Sequence, residues 1–340
     1  MIGRTAAPRR ARVVFIGTGP FAVPSLRRLA ADPQVRIVGI VTAPPRPAGR
    51  GRKIARSPVH EAAEPLRLRP VHTPERLRAP ASLRAVLSLA PDLAILADYG
   101  QLVPAPLLDL PLGALNLHPS LLPRHRGASP IPATILAGDR DTGVTLIRMD
   151  AGLDSGPILA VEPIALTGDE STPELEERLA AVAAELLARS LGPWLRGELT
   201  ARPQPPTGVT TTRPLRRDDG RLDPQRPAVE LERQVRAYQP WPGSWLETPV
   251  GRIAVWRAEA TDQDSASSET PGTLVADADG FALVTAEGRL RLLEVQPAGR
   301  NRMTGASFRR GRPSVAGAKV LPAAASGGSG RSSSGSGRGP

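Results

Sequence analysis

Arg12-Val13-Val14-Phe15-Ile16-Gly17-Thr18-Gly19-Pro20-Phe21-Ala22 decides the fold class. Val13 to Ile16 is apolar without alternation, the pattern of a strand buried on both faces of a parallel sheet. Two glycines and a proline break it, and Phe21 to Ala30 then keeps helical spacing. Strand, glycine turn and helix in this order open a Rossmann-like α/β unit. The turn also satisfies G-x-G-x-x-A, the dinucleotide fingerprint, which needs a carboxylate at the end of the second strand to hold a ribose. That strand, Arg36 to Val41, ends in Thr42-Ala43-Pro44-Pro45. The glycines are therefore read as a tight turn, and an NAD-dependent oxidoreductase is the weaker alternative.

Outward from this start, Leu93 to Ala97, Ala114 to His118 and Gly143 to Asp150 read as further strands, with a short helix over Ile131 to Ala137. Ser171-Thr172-Pro173-Glu174 has the capping-box pattern, and Leu175, Leu179, Val182 and Leu186 follow at helical spacing. His60-Glu61-Ala62-Ala63-Glu64 resembles a zinc helix in pattern but has no further ligand near it, so it reads as an exposed helix and no metal site is expected. Residues 200–224, rich in Pro, Thr and Arg, read as a linker. Closely spaced β-like runs at Arg252–Arg257, Gly272–Ala276, Phe281–Thr285 and Leu290–Val295 suit a small OB-like β-barrel. The chain thus divides into an extension (1–11), an α/β domain with an open parallel sheet (12–199), the linker, a C-terminal β-barrel (225–318) and a Gly/Ser-rich disordered tail (319–340).

The 340 residues and 40% hydrophobic content fit two domains with a sizeable core. Without cysteine there is no thiolate chemistry, disulfide or Cys-based zinc site. A formal charge of +11 points to a polyanionic partner such as nucleic acid. The competing explanation is compositional, since among 44 basic residues only Lys53 and Lys319 are lysines. No apolar run approaches the roughly 18 residues of a membrane span. The apolar run after the Arg-rich start is too short for a secretory signal, so a cytoplasmic protein with an N-terminal extension is expected and a mitochondrial leader is the alternative.

Chemistry concentrates in Asn116-Leu117-His118-Pro119-Ser120-Leu121-Leu122-Pro123-Arg124-His125-Arg126-Gly127. Alternation along a strand points Asn116 and His118 to the same side, at the carboxyl edge where open α/β sheets bind ligands. Pro119 and Pro123 stiffen the loop that follows. Of the two histidines here, His125 ranks lower because Arg124 and Arg126 flank it and disfavour an imidazolium. Downstream, the two glycines and the short polar residue of Gly152-Leu153-Asp154-Ser155-Gly156 suggest a strained turn holding the carboxylate in place. A basic, acid-free segment, Pro44 to Arg56, reads as a mobile loop; the alternative is a solvated charge run.

The run N-x-H-x-S-L-L-P-x-x-R-G, followed by Asp154 in its turn, resembles the formyltransferases that use 10-formyltetrahydrofolate. Three further motifs narrow the likeness to the branch whose acceptor is initiator methionyl-tRNA: Arg46-Pro47-Ala48-Gly49-Arg50-Gly51-Arg52-Lys53, Arg236-Ala237-Tyr238-Gln239-Pro240-Trp241-Pro242-Gly243 and Gln296-Pro297-Ala298-Gly299-Arg300. The resemblance covers about Arg12 to Arg312. It implies Asn116, His118 and Asp154 as the catalytic residues. It also implies Ser120, Leu121, Leu122 and Pro123 as a folate-contacting loop, Arg46, Arg50, Arg52 and Lys53 as tRNA contacts, and a monomer. Two positions depart from the family pattern: Pro45 replaces a usual Asp, and Asp98 in Asp98-Tyr99-Gly100-Gln101 replaces a usual Ala. A formyltransferase of sugar nucleotides or purine precursors would share the same three residues, and an RNA-binding protein with a vestigial catalytic domain is the non-enzymatic alternative.

Overall fold

The apolar run at the start of the chain forms the middle of the main sheet in a computed structural model that describes residues 10–48, 53–262, 270–278 and 280–321. Two compact units emerge, one of the residues up to 220 together with 233–243, the other of 221–232 together with those from 244. In chain order the first unit's strands are β1 (Ala11–Gly17), β2 (Val35–Val41), β3 (Arg46–Ala48), β4 (Lys53–Ala55), β5 (Val71–His72), β6 (Leu93–Ala97), β7 (Ala114–His118), β8 (Arg126–Gly127), β9 (Asp141–Arg148), β10 (Ile158–Ala165) and β11 (Thr211–Thr212). Seven make one sheet in the order β10-β9-β7-β6-β1-β2-β5.

Both faces of this sheet are covered, as the unalternating runs require. Val13, Phe15, Leu93, Ile95, Leu115 and Leu117 pack with the helices Ala22–Ala30 and Thr172–Leu195. Val14, Ile16, Ala94, Leu96 and Ala114 pack on the other side with Val86 and Leu107. The long helix starts where the capping pattern places it, with the Ser171 N–H donating to the Glu174 carboxylate at 2.8 Å. The five strands from β7 to β5 are parallel. The expected parallel sheet stops there, because β9 and β10 run antiparallel. Thr145 on β9 ties to the neighbouring loop: its hydroxyl donates to the Ser120 carbonyl at 2.6 Å and accepts from the Leu122 N–H at 3.1 Å. The loop leaving β7 is thereby fastened to β9 near the end where β7 finishes.

Two segments outside this sheet belong to the same unit. From 201 to 213, the stretch read as a linker lies against the site-bearing loops; Arg202 exchanges backbone hydrogen bonds with Ile158 at 2.7 and 2.9 Å, and β11 pairs in parallel with β8. The aromatic motif ending at Gly243 also returns to this unit, with Ala237 fully buried in its core and its carbonyl accepting from Thr172 Oγ1 at 2.6 Å.

The second unit carries β12 (Ser244–Thr248), β13 (Gly251–Thr261), β14 (Leu274–Asp277), β15 (Gly280–Val284), β16 (Arg289–Pro297) and β17 (Met303–Thr304). They form an antiparallel sheet in the order β12-β13-β16-β15-β14, with β17 on β16. Its two edge strands do not pair directly. Residues 317–321 bridge them: the Leu274 N–H donates to Ala318, Val320 to Gly272 and Leu321 to Glu247, each at 2.8 Å. This gives the unit its OB-like character, and it takes the folded chain through Lys319, which pairs with Thr273, to Leu321. The rest of the Gly/Ser-rich tail lies outside the described residues, as do residues 1–9 of the N-terminal extension.

Candidate active site

β7 places Asn116 and His118 on one side of the sheet, and the carboxylate that joins them comes from the turn between β9 and β10. Asn116 Nδ2 donates to Asp154 Oδ1 at 3.3 Å, and His118 Nδ1 lies 3.7 Å from Asp154 Oδ2. The Gly127 N–H donates to the same Oδ2 at 2.8 Å. Gly127 has φ +106°, and a Cβ there would stand 2.2 Å from the Thr212 carbonyl, so only glycine brings this N–H to the carboxylate.

The strain in the Asp154 turn falls on its carboxylate residue. Asp154 itself has the left-handed conformation, φ +47°, which Asp tolerates better than most residues. Gly152 and Gly156 supply room instead, since a Cβ on either would lie 2.0 Å from Ser155 Oγ or the Arg148 carbonyl.

His118 is 3% exposed. Its Nε2 lies 2.9 Å from the His125 carbonyl, and a carbonyl only accepts, so Nε2 carries the proton and Nδ1 is left for chemistry. Burial pulls the imidazole pKa down from its ordinary value, opposed by the Asp154 carboxylate and by the His125 carbonyl. Burial thus favours the neutral imidazole. His125 is a support, for a reason other than flanking charge. Its Nε2 bonds Asp139 Oδ2 at 2.8 Å, and Arg124 is itself compensated by Asp139 and Asp141.

The loop after β7 is held by its own hydrogen bonds. Ser120 is fully buried, its Oγ donates to the Arg124 carbonyl at 2.6 Å, and Leu122 is buried beside it. The basic segment is a hairpin, with β3 and β4 antiparallel and Ala48 opposite Lys53. Arg46 and Lys53 are exposed on it, while Arg50 and Arg52 lie outside the described residues. Arg56 is paired with Glu64 at 3.1 Å, which lowers the segment's free charge. His60 lies in the short helix Pro58–Ala63, with its N–H capped by Ser57. Among the described residues no group of three or more His, Asp or Glu side chains is placed to hold a metal.

Asp98 turns out to be coupled to a second unusual carboxylate. It follows β6 with φ +50°, and a Cβ on Gly19 would lie 1.8 Å from its Oδ2, so the two residues accommodate one another. Burial, with the Asp98 charge nearby, pushes Glu176 up to about 7. A carboxyl whose folded pKa is raised stabilises the fold below its unfolded value near 4.5, and that contribution is lost as pH rises through about 7. Glu176→Gln should therefore stabilise the protein at pH 8, by about 1–2 kcal/mol after allowing for the solvent that still reaches a half-buried group. It should leave stability unchanged at pH 4. Urea midpoints at the two pH values check this; equal effects at both would show that Glu176 is not the titrating group.

Residues 11–191 match the formyl transferase family and residues 214–313 its C-terminal domain. The chain belongs to the formyl transferases. Its relatives include methionyl-tRNA formyltransferases: that of Roseiflexus sp. (strain RS-1) is 45% identical over 304 residues, covering 88% of this chain and 92% of the relative. That of Halorhodospira halophila is 45% identical over 315 residues, covering 91% and 99%. Among solved structures, an N-formyltransferase from Helicobacter canadensis, complexed with folinic acid and dTDP-3-aminofucose, superposes with a TM-score of 0.59 at 13% identity, over 83% of this chain and 99% of that one. HypX from Aquifex aeolicus with tetrahydrofolic acid gives 0.56 at 14% identity, over 88% and 47%. These structural likenesses are of fold.

Sequence reasoning had Asn116, His118 and Asp154, and the structure brings all three together. It missed the Gly127 N–H, the His125 carbonyl and the strap at 201–213. One signal for the strap was legible: Val209-Thr210-Thr211-Thr212 is a β-branched run inside an otherwise Pro-rich stretch.

Proposed function

We propose that this enzyme transfers the formyl group of 10-formyltetrahydrofolate to the α-amine of initiator methionyl-tRNA, in the cytoplasm and as a monomer. The observation that carries the chemistry is the single carboxylate of Asp154, which takes hydrogen bonds from Asn116 and Gly127 while facing His118 Nδ1. The amine nitrogen attacks the formyl carbon, and the carbonyl oxygen becomes negative. Asn116 has a second amide N–H for that oxygen. His118 Nδ1 takes the proton the amine loses, with Asp154 steadying the charge that develops. When the carbon–N10 bond breaks, N10 receives a proton and the formamide and tetrahydrofolate leave. No side-chain nucleophile is needed.

In the loop Ser120 to Pro123, half-buried Leu121 is the residue a folate reaches, and buried Ser120, Leu122 and Pro123 hold it in place. Arg46, Arg50, Arg52 and Lys53 grip the acceptor end of the tRNA, with the C-terminal unit contacting its backbone. The relatives' acceptor, at 45% identity over nearly their whole length, favours this substrate over a sugar nucleotide.

The test is a comparison of acceptors with purified protein and 10-formyltetrahydrofolate. Methionyl initiator tRNA should be formylated, and free methionine far more slowly, because remote binding energy positions the amine and truncated acceptors lose turnover as well as affinity. In the same assay Arg46→Ala with Lys53→Ala should weaken tRNA use and flatten its salt dependence, as fewer counterions are released. Equal rates on free methionine would remove the tRNA reading, and no transfer to any amine would remove both.

A further inference from the structure

The catalytic carboxylate is held at both ends, and one end is the work of a residue far away in the chain. Its side chain is fixed by Asn116 and the Gly127 N–H. Its main chain, in the left-handed conformation, is fixed by Gln204. Gln204 Nε2 donates to the Asp154 carbonyl at 2.7 Å and to the Gly156 carbonyl at 2.8 Å. Gln204 Oε1 accepts from Arg126 Nε at 3.0 Å and Arg126 NH2 at 2.7 Å. One amide therefore fastens the turn that carries Asp154 to the loop that carries Gly127 and His125.

The neighbours of Gln204 complete the clamp. Thr210 Oγ1 accepts from the His125 N–H at 2.8 Å, and the Thr210 carbonyl accepts from the Arg126 N–H at 2.9 Å. Thr212 Oγ1 donates to the Arg126 carbonyl at 3.1 Å and accepts from the Ser129 N–H at 3.0 Å. His125 is the residue whose carbonyl sets the tautomer of His118, so His118 as well as Asp154 leans on this strap.

We propose that Gln204 is a positioning residue for formyl transfer, setting the distance between Asp154 and His118 by bridging Arg126 to the Asp154 turn. This rests on the reading of Asp154 and His118 as catalytic. The chemistry selects the side chain: two donors must meet two carbonyls while two acceptor lone pairs meet a guanidinium fork. Only a primary amide has both ends. A glutamate would keep Arg126 but turn a carboxylate oxygen toward two carbonyl oxygens, and the Asp154 turn would be pushed away.

Gln204→Glu and Gln204→Met in the full chain test this, with Glu removing only the donors and Met the whole bridge. Displacement of a reacting group by about 1 Å can cost on the order of 10²-fold, so kcat should fall by about 10- to 100-fold in both variants, with the KM for 10-formyltetrahydrofolate within about twofold. The acid limb of the kcat profile should move to lower pH, because the Asp154 charge that supports protonated His118 has been withdrawn. A residue acting through Asp154 has nothing left to act on once that carboxylate is gone. Adding Gln204→Glu or Gln204→Met to Asp154→Asn should therefore cost less than about twofold more. Wild-type kcat in both single variants, an unmoved acid limb, or a full additional loss in the Asp154→Asn background would overturn the proposal. Unaltered turnover in Asp154→Asn alone would instead overturn the catalytic reading beneath it.

Discussion

Asp154→Asn should lower turnover by about 10²- to 10⁴-fold, the range typical of lost proton-transfer catalysis, in a protein that folds as before. The side chain keeps its size, and its carbonyl oxygen can still accept from the Gly127 N–H, while its new amide nitrogen meets Asn116, whose own amide can rotate to present its oxygen, so the turn between β9 and β10 keeps its ties. What disappears is the negative charge beside His118. That charge raises the imidazole pKa against the effect of burial, so its loss leaves a weaker base and an imidazolium without support. The acid limb of kcat, which reports His118, should shift to lower pH. His118→Ala should show a similar loss with the limb gone, but it is the less clean variant: the His125 carbonyl loses its donor, at a cost of about 1–3 kcal/mol of stability. Steady-state kinetics with circular dichroism decide the matter. Wild-type turnover in Asp154→Asn would end the assignment.

Asn116→Ala should reduce kcat by about 10²- to 10³-fold, equivalent to about 2.7–4 kcal/mol, while the KM for the formyl donor changes little. The hydrogen bond it supplies strengthens as the formyl oxygen acquires charge, so the loss belongs to the tetrahedral intermediate and not to binding. Its side chain is half-buried and bonded to Asp154, which sets a second expectation. With one donor to Oδ1 gone, Asp154 still holds the Gly127 N–H, so the acid limb of the pH profile should stay near its wild-type position. A change confined to KM would mean that Asn116 binds substrate and does not stabilise the oxyanion.

What was legible in the sequence is what local geometry carries. An unalternating apolar run before a glycine turn makes a central strand wherever it occurs, and β1 is one. Residues two apart on a strand share a face, so Asn116 and His118 were bound to point together. Ser171 and Glu174 are three apart, the spacing at which a helix start closes on itself. The antiparallel pairing of β9 with β7 was not legible, because it joins segments well apart in the chain, as do the bonds of Thr145 to Ser120 and Leu122 across 23–25 positions.

The same holds more strongly for the site's supports. Gln204 meets Arg126 across 78 positions and the Asp154 carbonyl across 50, and Thr210 meets His125 across 85. Read along the chain, Gln204 is one polar residue among prolines, with no period or spacing to distinguish it. The sequence by itself singled out Asn116 and His118 by strand alternation, and Asp154 by its glycine turn together with the resemblance to the formyltransferases. Which nitrogen of His118 faces the carboxylate, which backbone N–H completes the set and what holds the carboxylate in place were decided only by the tertiary structure. Those are contacts between segments that meet only after the sheet has formed, and a hydrogen bond a few ångströms long leaves no trace in the order of residues that make it.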